Sequence, residues 1–159
     1  MNFQSPDACE RYWTLFEEQG IERPRIVLAT LTKSRHEHLN LYNHIDIALD
    51  PFPFNGHTTT MEALYMGVPV ITLKGQTGFG RVAYSFLTVL ELLDLVAETE
   101  EEYTDQAVNL THNISYLKDL KQSLRSRLLN SPLCDSQGYM NAVEQLFKYA
   151  WLQYTQSLA

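Results

Sequence analysis

Residues 45–73, IDIALDPFPFNGHTTTMEALYMGVPVITL, constrain the fold more than any other part of the chain. Two short apolar runs flank a turn and a helix. Residues 45–49 read as a strand that ends in the acidic, proline-broken loop Asp50-Pro51-Phe52-Pro53. Asn55 and Gly56 then suit a tight backbone turn, because glycine carries no steric penalty at positive φ and asparagine tolerates it better than most residues. His57, Thr58, Thr59 and Thr60 open a helix. The unpaired N–H groups and positive dipole end of such a helix start attract anions. Gly67 marks the end of that helix and Pro69 the start of a second buried strand, residues 70–73. The segment therefore reads as a nucleotide-phosphate site on a strand, turn and helix.

The same alternation extends to both sides. Ser5-Pro6-Asp7 starts a helix whose apolar stripe, Tyr12, Leu15 and Phe16, is expected to be buried before Gly20 ends it. Residues 25–31, RIVLATL, read as a buried strand, and Ser34 with Glu37 forms a capping box for a short helix reaching about Asn43. Beyond the central segment, residues 75–80 form a loop, residues 81–93 a largely apolar helix and residues 95–97 a weak strand. This order predicts a parallel α/β sheet. A doubly wound nucleotide domain normally carries five or six strands, so three strands and a weak fourth predict a truncated Rossmann-like sheet. Thr99 and Glu102 make a second capping box, and three amphipathic helices follow at 100–112, 114–129 and 136–154. Residues 1–159 thus read as one domain, with an α/β part over 1–97 and a helical part over 98–159. Asp135 is placed as N-cap of the last helix. Phe147, Tyr149, Trp151 and Tyr154 on that helix are expected to pack across a neighbouring surface.

At 159 residues and 45 % apolar content the chain can bury a proper core. A formal net charge of −7 excludes a sequence-independent grip on nucleic acid or anionic membrane. A small phosphorylated ligand held by local donors is not excluded. Cys9 and Cys134 lie far apart without metal-like spacing, and no run approaches the roughly 18 apolar residues that span a bilayer. No basic segment with a following apolar stretch opens the chain, so it is expected to be cytoplasmic.

Several residues carry two readings. His57, Thr58 and Thr59 either bind phosphate or merely cap the helix. Glu62 either faces a ligand, four residues after Thr58, or is a solvated helix residue. Arg81 is either a surface ion-pair residue or a diphosphate neighbour. His36, His38 and His44 lack the spacing of a zinc site, so no metal is expected. Residues 75–80, GQTGFG, lack the Gly-Lys-Ser/Thr ending of a Walker loop.

Three strings then carry a family likeness: YNHIDIALD (42–50), FNGHTTTMEAL (54–64) and MGVPVIT (66–72), with AETEEEY (97–103) and NSPLCD (130–135) downstream. They resemble the C-terminal catalytic lobe of the O-linked N-acetylglucosamine transferases, glycosyltransferase family 41, and its bacterial tetratricopeptide-repeat (TPR) relatives. The likeness runs from about Phe3 to the last helix. It implies the C-terminal half of a GT-B glycosyltransferase, in which two Rossmann-type lobes face one cleft and this one holds the nucleotide sugar. By the same likeness, Asn55, Gly56, His57, Thr58 and Thr59 would meet the UDP diphosphate and Glu62 the ribose hydroxyls. His38 would lie beside the uridine, with Arg35 a uracil neighbour and Arg81 near the diphosphate. The family's EEH is HEH here, and Glu62 stands where some members have Asp. The resemblance implies no cofactor and no metal, only the donor substrate UDP-GlcNAc. It further implies that a first strand-helix-strand with a phosphate-facing lysine, an N-terminal lobe and TPR repeats belong to the complete enzyme.

Two readings of function result. In the first, the chain is the donor-binding part of an inverting transferase that moves N-acetylglucosamine from UDP to protein Ser or Thr hydroxyls, and it stabilises UDP as leaving group. No residue is assigned as general base, so the isolated piece is expected to lack transfer activity. In the second, it is a non-catalytic remnant or protein-interaction domain with weak or no UDP binding.

Overall fold

The computed structural model describes residues 5–29 and 31–157. The chain divides into two compact units, residues 1–41 and 42–159.

In the first unit α1 spans Pro6–Glu18, with Pro6 in the first turn, where a missing N–H costs nothing. Beyond α1, Arg23 reaches back to Glu10 and to Glu17 at 2.6 Å and lies over the Trp13 ring. These groups are exposed, so the cluster contributes little stability. The expected apolar stripe is not buried: Leu15 and Phe16 are 49 % and 38 % exposed, and α1 buries no residue. The strand expected over 25–31 is also absent among the described residues, and Thr30 lies outside them. Ile26 has extended dihedrals, yet Val27 is 89 % exposed. A strand exists through its hydrogen-bonded neighbour, and the described residues of this segment have none. Helix α2, Arg35–Leu41, begins as expected, with the Glu37 amide donating to Ser34 Oγ. Glu37 Oε2 accepts from the amide of Lys33, one residue before the expected cap.

The second unit holds a three-stranded parallel sheet in the order β1 (Ala48–Leu49), β2 (Val70–Leu73), β3 (Val96–Ala97). Ala48 pairs with Val70 and Thr72 with Val96. The expected strand over 45–49 joins the ladder only at its last two residues, while Ile45 and Ile47 pack against the core. Helix α3, Thr58–Tyr65, crosses from β1 to β2, and α4, Val82–Val89, from β2 to β3. The helix expected over 81–93 is shorter because Glu91 turns to φ 57° after its C-cap. Helices α5 (Glu100–His112), α6 (Ile114–Leu129) and α7 (Ser136–Gln156) follow where the sequence places them. Thr99 Oγ1 accepts from the Glu102 amide and Asp135 Oδ1 from the Gly138 amide, as expected of N-caps.

Central strand β2 is buried on both faces, which explains its unbroken apolar run. Leu64, Ile71, Leu87, Leu120, Leu124 and Leu128 are at most 2 % exposed and form one core around it. Gly67 closes α3 at φ +78°, with its amide on Leu64 O and the Val68 amide on Ala63 O. This is a Schellman ending. A Cβ on Gly67 would lie 2.7 Å from the Lys121 carbonyl of α6, so glycine also sets how closely α6 approaches.

Candidate functional site

Parallel strands direct their following loops to one edge of the sheet, and ligands bind there. Here those loops are 50–57 after β1, 74–81 after β2 and 98–99 after β3. Asp50 organises the first. It is 3 % exposed, and its Oδ1 accepts from the Gly56 amide at 2.7 Å while Oδ2 accepts from Thr72 Oγ1 at 2.7 Å. Burial pushes its pKa upward, against hydrogen bonds from Thr72, Gly56 and Thr60 that pull it down. The Asp50 carbonyl takes the Tyr103 hydroxyl of α5 at 2.9 Å, and Phe52 packs edge-on against that ring.

Gly56 does not use the positive φ expected of it; the positive-φ glycines among the described residues are Gly20 and Gly67. Its requirement is steric. A Cβ there would sit 2.6 Å from Thr60 Oγ1, 2.8 Å from Thr59 Oγ1 and 3.1 Å from Asp50 Oδ1. Asn55 is 2 % exposed. Its amide donates to Phe79 O, and its Nδ2 to Pro51 O, so it ties the first loop to the second. Phe54 stacks on Phe79 at 5.4 Å, outside that tie.

These anchors hold α3 so that its first turn faces outward. His57, Thr58 and Thr59 are exposed. The Met61 amide donates to His57 O, and the His57 side chain does not cap the helix. Its ring instead lies edge-on to Phe86 of α4, with centroids 5.6 Å apart. The exposed first turn of α3 carries the Thr58 and Thr59 side chains, with Thr59 Oγ1 close to Gly56, and a helix start of this kind suits anion recognition. One turn along, half-buried Glu62 adds its negative charge to burial in raising the pKa of Tyr42. The Tyr42 hydroxyl donates to Thr59 O.

In the second loop Arg81 Nη1 reaches Gly75 O, and its guanidinium lies 5.1 Å from the Tyr84 ring centre. Lys74 lies 5.0 Å from the same ring and pairs with Glu98. Lys74 borders a hollow of about 330 Å³ that is lined by Phe52, Gly75, Gly80, Glu98 and Thr99, among others. Asn55, Gly56, His57, Thr58, Thr59, Glu62 and Arg81 therefore all belong to the second unit. Arg35, exposed, and His38, half-buried, are on α2 in the first.

Sequence reasoning passed over Asp50, Lys74 and Tyr103. Asp50 and Lys74 immediately follow strands, a position that points to the ligand edge of any parallel sheet. Nothing local in the sequence singles out Tyr103, whose partner lies 53 residues away. Among the described residues no cluster of His, Cys, Asp and Glu could hold a metal ion, and no helix is long and apolar enough to cross a membrane.

Residues 5–143 match the family model described as Glycosyl transferase family 41. The chain belongs to that family. Among family-41 relatives, the probable UDP-N-acetylglucosamine--peptide N-acetylglucosaminyltransferase SPINDLY of Hordeum vulgare is 39 % identical over 94 % of this chain and 16 % of its own length. The UDP-N-acetylglucosamine--peptide N-acetylglucosaminyltransferase of Caenorhabditis elegans is 31 % identical, over 96 % of this chain and 13 % of its own. The solved structure of a Thermobaculum terrenum O-GlcNAc transferase mutant, K341M, superposes with a TM-score of 0.88 at 37 % identity, covering 98 % of this chain and 30 % of that one. The family-41 fold is thus present in a chain spanning about one sixth of the curated relatives' length.

Proposed function

We propose that this family-41 chain is the donor-binding part of a UDP-GlcNAc:protein O-linked N-acetylglucosaminyltransferase. The observation that carries the reading is the start of α3, uncapped by any side chain of its N-cap residue and fixed by buried Asp50 through Gly56. Its amides and the Thr58 and Thr59 hydroxyls donate to the UDP diphosphate. As the glycosidic bond breaks, negative charge grows on the leaving phosphate, and donors already aimed there stabilise it without reorganisation. Glu62 accepts from the ribose hydroxyls. The base contact is carried to His38 on family likeness alone. Arg81 is held by Gly75 O and Tyr84, and it supplies positive charge beside the second loop. The relatives' names give a peptide as acceptor, and the family likeness makes it a Ser or Thr hydroxyl.

Isothermal titration with UDP tests this directly. Saturable binding is expected, weakened about tenfold or more by His57→Ala or Glu62→Ala, which is roughly 1.4 kcal/mol or more. GDP serves as the control for base recognition. No heat and no ligand-observed NMR signal at millimolar UDP would leave the non-catalytic reading in place.

A further inference from the structure

The loop that leaves β1, Asp50-Pro51-Phe52-Pro53, contains two prolines and so lacks amide donors that would otherwise tie it down. Its carbonyls are held from outside instead. Asn55 Nδ2 donates to Pro51 O, and the Tyr103 hydroxyl of α5 donates to Asp50 O at 2.9 Å. Asp50 also donates its own amide to Ile71 O, while Oδ1 accepts from Gly56 and Oδ2 from Thr72. Of these four partners, Tyr103 is the one supplied by the helical part of the chain. Its own place is fixed. It lies in the first turn of α5, its amide donates to Thr99 O, and Thr99 Oγ1 caps the same turn by accepting from the Glu102 amide. The half-buried ring meets Phe52 edge-on, with centroids 5.5 Å apart. Hydroxyl and ring thus grip two residues of one loop, Asp50 and Phe52.

We propose that Tyr103 is a positioning residue for diphosphate binding. Through the Asp50 carbonyl it fixes the peptide plane on which the loop leaves the sheet, and with it the buried carboxylate that holds Gly56 beside the start of α3. The inference rests on the UDP reading above and goes beyond it, because Tyr103 acts through Asp50 rather than on the ligand. A carbonyl released from its donor turns toward water, and the plane between Asp50 and Pro51 turns with it. Donors stabilise charge best when they are already aimed. A loop that samples other orientations presents them for only part of the time, and the apparent affinity falls by that fraction.

Calorimetric titration of UDP into Tyr103→Phe tests this, with Tyr116→Phe as the matched control. Tyr116 of α6 also donates its hydroxyl to a distant acceptor, Asp94, but Asp94 precedes β3 and so lies at the opposite edge of the sheet. Both variants keep the ring and lose one hydroxyl, a loss of similar size for stability. With both folded by circular dichroism at the titration temperature, Tyr103→Phe should weaken UDP binding about three- to tenfold, the effect of one hydrogen bond. Tyr116→Phe should leave it unchanged. Amide hydrogen exchange at Gly56 should quicken in Tyr103→Phe alone. Tyr103→Leu, which also gives up the Phe52 contact, should weaken UDP further. Wild-type UDP affinity in Tyr103→Phe would overturn this inference and leave the UDP reading standing. Equal losses in the two phenylalanine variants would overturn it as well, since general destabilisation would then suffice, as would weaker UDP binding with Gly56 exchange unchanged. No saturable UDP binding by the wild type would overturn both readings.

Discussion

Replacing Asp50 by alanine removes the acceptor for the Gly56 amide, the Thr72 hydroxyl and the Thr60 hydroxyl. A buried donor left without a partner costs about 1–3 kcal/mol, but hydroxyls can rotate to other acceptors and the amide cannot. Loss of a carboxylate that burial already disfavours offsets part of the penalty. Asp50→Ala is therefore expected to lower the unfolding free energy by about 2–4 kcal/mol. At about 2–4 °C per kcal/mol for a chain of this size, the midpoint should fall by roughly 5–15 °C. Urea denaturation followed by circular dichroism reads the first number and thermal melting the second. Asp50→Asn keeps one acceptor and loses the charge, so its loss should be smaller. The pH dependence has a definite sign. Burial raises the folded-state pKa above the ordinary carboxyl value of 3.8, so this group's contribution is fully present below 3.8 and is lost as pH rises through the folded value. The stability of wild type relative to Asp50→Asn should accordingly decline with rising pH across that window. Below the melting range, Asp50→Ala should still weaken UDP binding, because the amide that ties the loop to the helix start has lost its anchor. An unchanged urea midpoint together with an unchanged UDP titration would refute the role given to Asp50.

Glu91 holds φ 57° at the end of α4, with its amide on Thr88 O and the Leu92 amide on Leu87 O. This left-handed position suits glycine, so Glu91→Gly should stabilise the protein by about 0.5–1 kcal/mol, and a lowered urea midpoint would contradict it. Burial, and then the charge of Asp50, push the Tyr103 pKa up to about 12 from 10.0. The folded state thus keeps this proton where the unfolded chain loses it, and stability falls as pH rises from about 10 to about 12. Tyr103→Phe should flatten that fall and cost about 1 kcal/mol at neutral pH; matching urea midpoints for the two proteins from pH 8 to 11 would exclude the effect.

The readability of this chain follows the range of the interactions concerned. Helices α5, α6 and α7 appear within two residues of the expected bounds because caps such as Thr99 and Asp135 act over three residues. Strands needed more. Residues 25–31 have the composition of a strand, yet no ladder forms there among the described residues, since a strand depends on a neighbour that its own sequence does not supply. The exposed faces of α1 and α7 show the same limit: amphipathic periodicity predicts a face to be buried but does not identify what covers it.

At the candidate site the division is similar. The sequence alone determined the turn, the helix start at His57 to Thr59, the Schellman ending at Gly67 and the family likeness, all written in contiguous residues. Only the tertiary structure showed that Gly56 is needed for room rather than for positive φ, since the crowding atoms include Asp50 Oδ1, six residues earlier. It also revealed Asp50 as the buried anchor, bonded to Thr72 across 22 residues and through its carbonyl to Tyr103 across 53. Local backbone preference is encoded residue by residue, whereas burial, crowding and long-range hydrogen bonds exist only once distant segments have met.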